Sequence, residues 1–202
     1  MPTTTPNLAL NSPKHIEAKA SNQEYLSWWE RNVIDEYKTL SNDEIRAKLK
    51  DTAFPFSVCI ENWQHDFNIS SCIRNCNAFN ARKIYYVGEK RFDRRGMKGV
   101  QNYSDIEWLP TIDKLVALKA QYRFVAIDNI ANATPLNNYT WQANSLLVFG
   151  SEGVGITSKM LELCDDVVYI KQYGSVRSIN VAAASAVIMN DIVSQFNRQV
   201  IK

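Results

Sequence analysis

Hydrophobic positions along this chain fall into short blocks, and the spacing within the blocks alternates between two kinds. Beyond Pro55, "FSVCIE", "KIYYVG", "RFVAID", "SLLVFG" and "DVVYIK" are compact runs rich in β-branched and aromatic residues, each too short for a helix. Between them lie helix-like segments: "ISSCIRNCNAFN", "TIDKLVALKAQ" opened by Thr111, "ITSKMLELC", and the long closing "INVAAASAVIMNDIVSQFNRQ". Short apolar strands separated by helices predict a mostly parallel sheet covered on both faces, an α/β fold.

The chain before Pro55 reads differently. Its first two dozen residues are rich in Pro, Thr and Asn and are expected to be loose. From Glu24, the residues Tyr25, Trp28, Trp29, Val33 and Tyr37 fall near helical spacing, and Ser41 followed by Glu44 forms a capping box for a further short helix. Residues 1–52 therefore read as a loose leader with a helical extension, and residues 53–202 as one domain. The tryptophans are expected to pack on that domain rather than stack on RNA bases.

Composition narrows the class. Apolar residues make up 46% of the 202 and charged residues 22%, an ordinary balance for a soluble globular protein. No apolar run approaches the roughly 20 residues that cross a bilayer. The opening "MPTTTPNLALNSPKH" lacks a basic segment followed by an apolar core, so no secretory signal is expected. Net charge is only +2, so any affinity for nucleic acid must come from local clusters. Cys59, Cys72, Cys76 and Cys164 lack the paired spacing of a zinc site, and the histidines are His15 and His65. The thiols read as buried and reduced, in a cytoplasmic protein without a metal.

Ligands of parallel α/β sheets bind beyond the carboxyl ends of strands. Three stretches stand there: "ENWQHDFNISSCIRN", "FGSEGVGIT" and "IKQYGSVRSINVAAA". The second has the order G-x-x-G-x-G from Gly150, not the G-x-G-x-x-G of dinucleotide sites, and no Lys-Ser/Thr pair follows as in a P-loop. Glu152 would set a carboxylate against a bound pyrophosphate, opposing the field of a helix N-terminus. Such a loop could wrap an adenosine or be a tight turn with a solvated glutamate. In the third stretch, Arg177, Ser178 and Asn180 sit at the mouth of a helix whose first turns are small. A capped, alanine-rich packing helix explains the alanines, but not those three polar residues beside a second glycine turn.

Taken together, "HDFNISSCIRNCNAFNA", "LLVFGSEGVGIT" and "YGSVRSINVAAASAVIMND" resemble the three ordered motifs of the SpoU/TrmH-type RNA 2′-O-ribose methyltransferases, of the SPOUT trefoil-knot class. The resemblance covers roughly residues 54 to 198. It implies a C-terminal knot, a pocket for S-adenosylmethionine and a homodimer. By that analogy Ile127, Gly150, Glu152, Gly153, Ile170, Ser178 and Ile179 form the cofactor pocket. The family's catalytic arginine falls on Arg74, which is expected to face the same pocket as Glu152, Ser178 and Asn180. Asn68 and Glu152 would orient Arg74, while Ser178 and Asn180 would position the ribose or the loops. A guanidinium is a poor base at neutral pH, so Arg74 is read as stabilising a developing alkoxide and holding a phosphate, although the family proposal makes it the proton acceptor. The chain departs from the pattern at Ser70 and Asn80, where the family tends to have glycine. Serine is small and Asn tolerates a left-handed helix end.

Between Arg82 and Lys98, seven basic residues (Arg82, Lys83, Lys90, Arg91, Arg94, Arg95, Lys98) stand against Glu89 and Asp93. With Phe92 inside and Tyr103 just after, the run is expected to grip RNA through phosphate contacts and base stacking; a solvated charged loop is the alternative. It also resembles the "R-W-x-x-R…G…W" region of tRNA-directed members, which favours tRNA over ribosomal RNA. The leading function is therefore an RNA ribose methyltransferase. A noncatalytic RNA-binding module of the same fold is the rival, and a Rossmann-type oxidoreductase is disfavoured by the glycine order.

Overall fold

The structure is a computed structural model of the chain and describes residues 31–63, 68–151 and 153–200. It divides into two compact units, Met1–Ser41 and Asn42–Lys202. In the first, the described residues hold a single 3-10 turn, Asp35–Tyr37, closed by an Arg31 guanidinium that donates to the Leu40 carbonyl at 2.7 Å. Of the helix expected from Glu24, residues 24–30 lie outside the described residues, and the part that is described is not α-helical.

The second unit opens with α1 (Asn42–Asp51) and continues as a seven-stranded sheet. In chain order the elements are β1 (Phe54–Asn62), α2 (Asn68–Ala78), β2 (Ala81–Gly88), β3 (Ile106–Leu109), α3 (Asp113–Val116), β4 (Arg123–Ile127) and β5 (Thr134–Pro135). Then come β6 (Ser145–Phe149), α4 (Ser158–Leu161), β7 (Asp166–Tyr169) and α5 (Val181–Val200). The strand order is β3-β2-β1-β6-β4-β7-β5, and every pairing is parallel.

Strand alternation splits the core into two layers. Val58, Ile60, Ile84, Tyr86, Val125, Leu147 and Phe149 face α2 and α5, meeting Ile69, Ile73, Ile188 and Ile192. Their chain neighbours Cys59, Tyr85, Phe124, Leu146 and Val148 face α3 and α4, meeting Leu115 and Met160. Cys59, Cys72 and Cys76 are fully buried inside these layers and form no disulfide, and burial pushes the thiols of Cys59 and Cys76 well up. No helix among the described residues is long and apolar enough to cross a membrane.

Two strands escape the sequence pattern. β3 is four residues at the sheet edge, with Glu107 on its outer side, and β5 is a two-residue pairing ending in Pro135, which an edge tolerates. The expected helix "TIDKLVALKAQ" is α-helical only over Asp113–Val116 and tightens into a 3-10 turn, Ala117–Ala120. Its start lies at Ile112, which gives no side-chain cap. Asn80 does take the left-handed conformation expected after the α2 helix, with φ +47°. Its side-chain amide then donates to the Leu49 carbonyl (3.1 Å) and Thr52 Oγ1 (3.0 Å), tying α1 to the sheet.

Candidate functional site

β6, β4 and β7 are neighbours in the sheet, and the loops leaving their carboxyl ends build a cleft against the start of α5. The loop after β6 doubles back on itself. Ser151 pairs with Gly155 in an antiparallel bridge, with the Gly155 N–H donating to the Ser151 carbonyl at 3.0 Å. A side chain at Gly150 would place its Cβ 2.1 Å from the Gly155 carbonyl carbon and 2.4 Å from the Ile156 nitrogen. These glycines let two backbone segments touch; they do not form a phosphate cradle. Asp128, just past β4, fixes the returning strand by accepting the Ile156 N–H at 3.2 Å, and its other oxygen accepts the Asn129 N–H at 2.7 Å.

The cleft holds about 850 Å³. Its walls include Ile127, Gly150, Gly153, Ile170, Ser178, Ile179 and Asn180, all expected at the site. Glu152 lies outside the described residues. Two buried polar atoms on these walls have no hydrogen-bond partner among the described residues: Ser151 Oγ, on a residue only 4% exposed, and Gln172 Oε1. Buried polar groups are normally paired, so these two atoms offer positions that water or a bound ligand would complete.

Asn180 binds the cleft to the neighbouring helix. Its carbonyl oxygen caps α5, accepting the N–H of Ala182 (2.9 Å) and of Ala183 (3.3 Å), and its amide donates to Asn68 Oδ1 at 2.9 Å. Seven residues along α2, Asn75 donates to the Ala182 carbonyl (2.8 Å) and to Ser185 Oγ (2.9 Å). The small side chains of α5 permit this approach, so α2 and the first turns of α5 lie together as one polar seam.

Arg74 is on the solvent side of that seam and does not line the cleft. It is exposed and lines a separate open groove of about 920 Å³ with Ser71, Asn75, Arg95, Lys98 and Ala183. The first turns of α5 divide the two spaces: Val181 and Ala184 face the cleft, Ala182, Ala183 and Ala186 the groove. Of the residues expected to face one pocket, Arg74 thus lines the groove and Ser178 and Asn180 line the cleft, while Glu152 lies outside the described residues.

The basic loop reaches this groove through Gly96, whose missing side chain would lie 2.2 Å from Ser70 Oγ. The loop therefore crosses α2 in close contact with Ser70, where a side chain at position 96 would force the Ser70 hydroxyl to move. Arg95 forms a bidentate pair with Asp93, donating from Nε to Oδ1 at 3.1 Å and from Nη2 to Oδ2 at 2.6 Å, and this guanidinium holds the Asp93 carboxyl below its usual range. Lys90 lies over the Trp108 ring at 5.0 Å and Arg94 over Phe92 at 6.0 Å. Phe92 meets Tyr86 edge-on at 5.2 Å and packs against the core, and Tyr103 is buried, so these rings anchor the loop rather than offer stacking platforms. Arg82 stands at the opposite end of β2, and Lys83 is engaged by Asp105 (2.7 Å) and Glu107 (3.1 Å). The local charge excess is therefore spread over two ends of the sheet.

Residues 55–190 match the model of the SpoU rRNA Methylase family. The chain belongs to that family. One curated relative, the tRNA (guanosine(18)-2′-O)-methyltransferase of Escherichia coli K12, is 27% identical over 144 residues, covering 69% of this chain and 63% of the relative. The chain thus matches somewhat less than two thirds of that enzyme's length. Among solved structures, the Aquifex aeolicus TrmH/SpoU tRNA modifying enzyme superposes with a TM-score of 0.69 at 22% identity, over 79% of this chain and 84% of that one. The SpoU methyltransferase AviRb from Streptomyces viridochromogenes, in complex with AdoMet, has a TM-score of 0.62 at 24% identity, over 70% and 57% of the two chains. Both share the fold.

Within this SpoU domain, sequence reasoning overlooked Asp128, Ser151 and Gln172 as cleft residues. Asp128 follows a strand directly, which is a usable signal; the sequence offers none for Ser151 or Gln172, whose side chains become notable only once burial leaves them unpartnered.

Proposed function

We propose that this protein transfers a methyl group from S-adenosylmethionine to a ribose 2′-hydroxyl of RNA, with tRNA the preferred substrate over ribosomal RNA. The observation that carries this reading is the cleft itself: a doubled-back glycine loop, two buried unpartnered polar atoms and the Asp128 carboxylate. These suit a nucleoside carrying a cationic sulfur and oppose a pyrophosphate.

The methyl donor supplies an electrophilic carbon on a sulfonium. Gly150, Ile170 and Ile179 would hold its adenosine, with Ile127 at the edge and Gly153 and Ser178 completing the walls. The protein's remaining tasks are to align the ribose oxygen, exclude water and stabilise negative charge as the hydroxyl proton leaves. Arg74, exposed on its groove, would hold a substrate phosphate there and stabilise the alkoxide where bound RNA passes from the groove to the cleft over the first turns of α5, while Asn68 and Asn180 keep α2 and α5 in register beside it. Lys90, Arg91, Arg94, Arg95 and Lys98 would take the RNA backbone.

We further propose the homodimer and the C-terminal knot that the family resemblance implies. Val154 on the cleft wall and Val176 are more than half exposed and Tyr173 is 86% exposed, apolar surface that a second copy would cover. Calorimetric titration with S-adenosylmethionine and with NAD tests the cofactor. Saturable binding of the first alone is expected, and binding of NAD alone would return the oxidoreductase reading.

A further inference from the structure

The carboxyl end of β1 holds two fully buried polar residues that the proposed chemistry does not use. Glu61 forms no ion pair among the described residues, yet it is 0% exposed. A buried carboxylate is costly unless hydrogen bonds satisfy it. Three donors reach it: Trp63 Nε1 (2.9 Å) and Thr157 Oγ1 (2.7 Å) on Oε1, and the Thr157 N–H (2.9 Å) on Oε2. Thr157 directly follows the returning arm of the glycine loop, and its hydroxyl oxygen also accepts the Met160 N–H at 3.3 Å, starting α4. Asn62, the next residue, faces the other way. Its side-chain amide donates to the carbonyls of Glu89 (2.6 Å) and Arg91 (3.0 Å), and its backbone carbonyl accepts the Glu89 N–H at 2.7 Å.

We propose that Glu61 is a positioning residue for the methyl-donor loop and Asn62 a positioning residue for the basic RNA loop. Adjacent places on one buried strand thereby fix the two loops relative to each other. Glu61 acts through Thr157: it sets where Gly155 and Ile156 lie, and those residues wall the cleft. Gln at position 61 would keep the shape but lose the chemistry. With three donors converging, its NH2 must oppose either the Thr157 N–H or the Trp63 and Thr157 side-chain donors. This inference rests on the methyl-donor reading of the cleft.

The test measures binding rather than turnover, with S-adenosylhomocysteine by calorimetry and bulk tRNA by fluorescence anisotropy, each ligand alone. Glu61→Gln should weaken S-adenosylhomocysteine about 10- to 100-fold and leave tRNA affinity within about twofold. Asn62→Ala should do the reverse, weakening tRNA about 5- to 10-fold with S-adenosylhomocysteine little changed. Thr157→Val, at a partly exposed position, should weaken S-adenosylhomocysteine by about 5- to 10-fold. The Glu61→Gln/Thr157→Val double variant should stay within about threefold of Glu61→Gln, because both act through one contact. If Glu61→Gln does not fold, Thr157→Val still decides: unchanged affinity overturns the inference. Loss of both ligands in each variant, in proportion to a fall in Tm, would also overturn it by making the pair merely structural. A wild-type protein that ignores S-adenosylhomocysteine removes the methyl-donor reading and this inference with it; binding that neither Glu61→Gln nor Thr157→Val alters removes this inference alone.

Discussion

Replacing Asn180 by alanine deletes three hydrogen bonds: two capping α5, at 2.9 and 3.3 Å, and one to Asn68 at 2.9 Å. Loss of a helix cap costs about 1 kcal/mol. The Asn68 bond contributes about 1 kcal/mol more, and somewhat beyond that if the buried Asn68 carbonyl is left dry. An expected loss of about 2–3 kcal/mol corresponds to a fall in Tm of about 5–10 °C for a domain of this size. Asn180→Asp separates the two contributions. Its carboxylate still caps and suits the positive end of the helix, and the Asn68 amide can turn to donate to it. Stability should then return to within about 1 kcal/mol of wild type. Urea unfolding followed by circular dichroism measures both variants, and a cycle with Asn68→Ala should give a coupling of about 1 kcal/mol. If Asn180→Ala loses less than about 0.5 kcal/mol, or the cycle is additive, the seam between α2 and α5 is not held as argued.

Arg74→Ala should lower methyl transfer at least about 100-fold while Tm and S-adenosylhomocysteine affinity stay near wild type, since the side chain is exposed and lies outside the cleft; retained turnover would remove Arg74 from the chemistry. Charge reversal at Arg94 and Arg95 should weaken tRNA binding and flatten its dependence on salt, seen as a smaller slope of log K against log salt concentration. Gly150→Ala should abolish cofactor binding and destabilise the domain by about 3 kcal/mol or more, because the new Cβ meets backbone that cannot yield; normal calorimetry would refute that packing. Asp166 is held below the usual carboxylate range by the Arg123 guanidinium (2.8 Å), with the Tyr139 hydroxyl also donating at 2.6 Å. Its folded-state pKa is depressed, so its contribution is full above about pH 4 and is lost as pH falls through the folded value. The stability advantage of wild type over Asp166→Asn, on the order of 1–2 kcal/mol at pH 7, should therefore shrink in acid unfolding below about pH 4.

Periodicity made the central strands and α5 legible because each buries a continuous apolar surface, and the strand-end rule located the cleft. The edge strands β3 and β5 stayed hidden for the same reason in reverse: at two to four residues they carry too little pattern to distinguish them from loops. The polar mouth of α5 was legible as a capped helix start, and Asn180 does cap it while also reaching Asn68. The basic run misled in one respect. Adjacency in sequence from Arg82 to Lys98 suggested one patch, but β2 rises about 3.3 Å per residue and carries Arg82 roughly 20 Å away from the loop. Nor could the chain reveal that Phe92 and Tyr103 turn inward, since an aromatic among arginines looks alike whether it anchors a loop or awaits a base. Glu61 and Asn62 were invisible as a pair because both partners, Thr157 and the backbone at Glu89 and Arg91, lie far along the chain.

The most direct test is to incubate the purified protein with methyl-labelled S-adenosylmethionine and bulk tRNA or ribosomal RNA, then hydrolyse the RNA in alkali. A 2′-O-methyl group blocks cleavage at its own nucleotide, so label recovered in alkali-resistant dinucleotides is the predicted result. Label recovered in mononucleotides, which would place the methyl on a base, or RNA that binds without acquiring label, would contradict it.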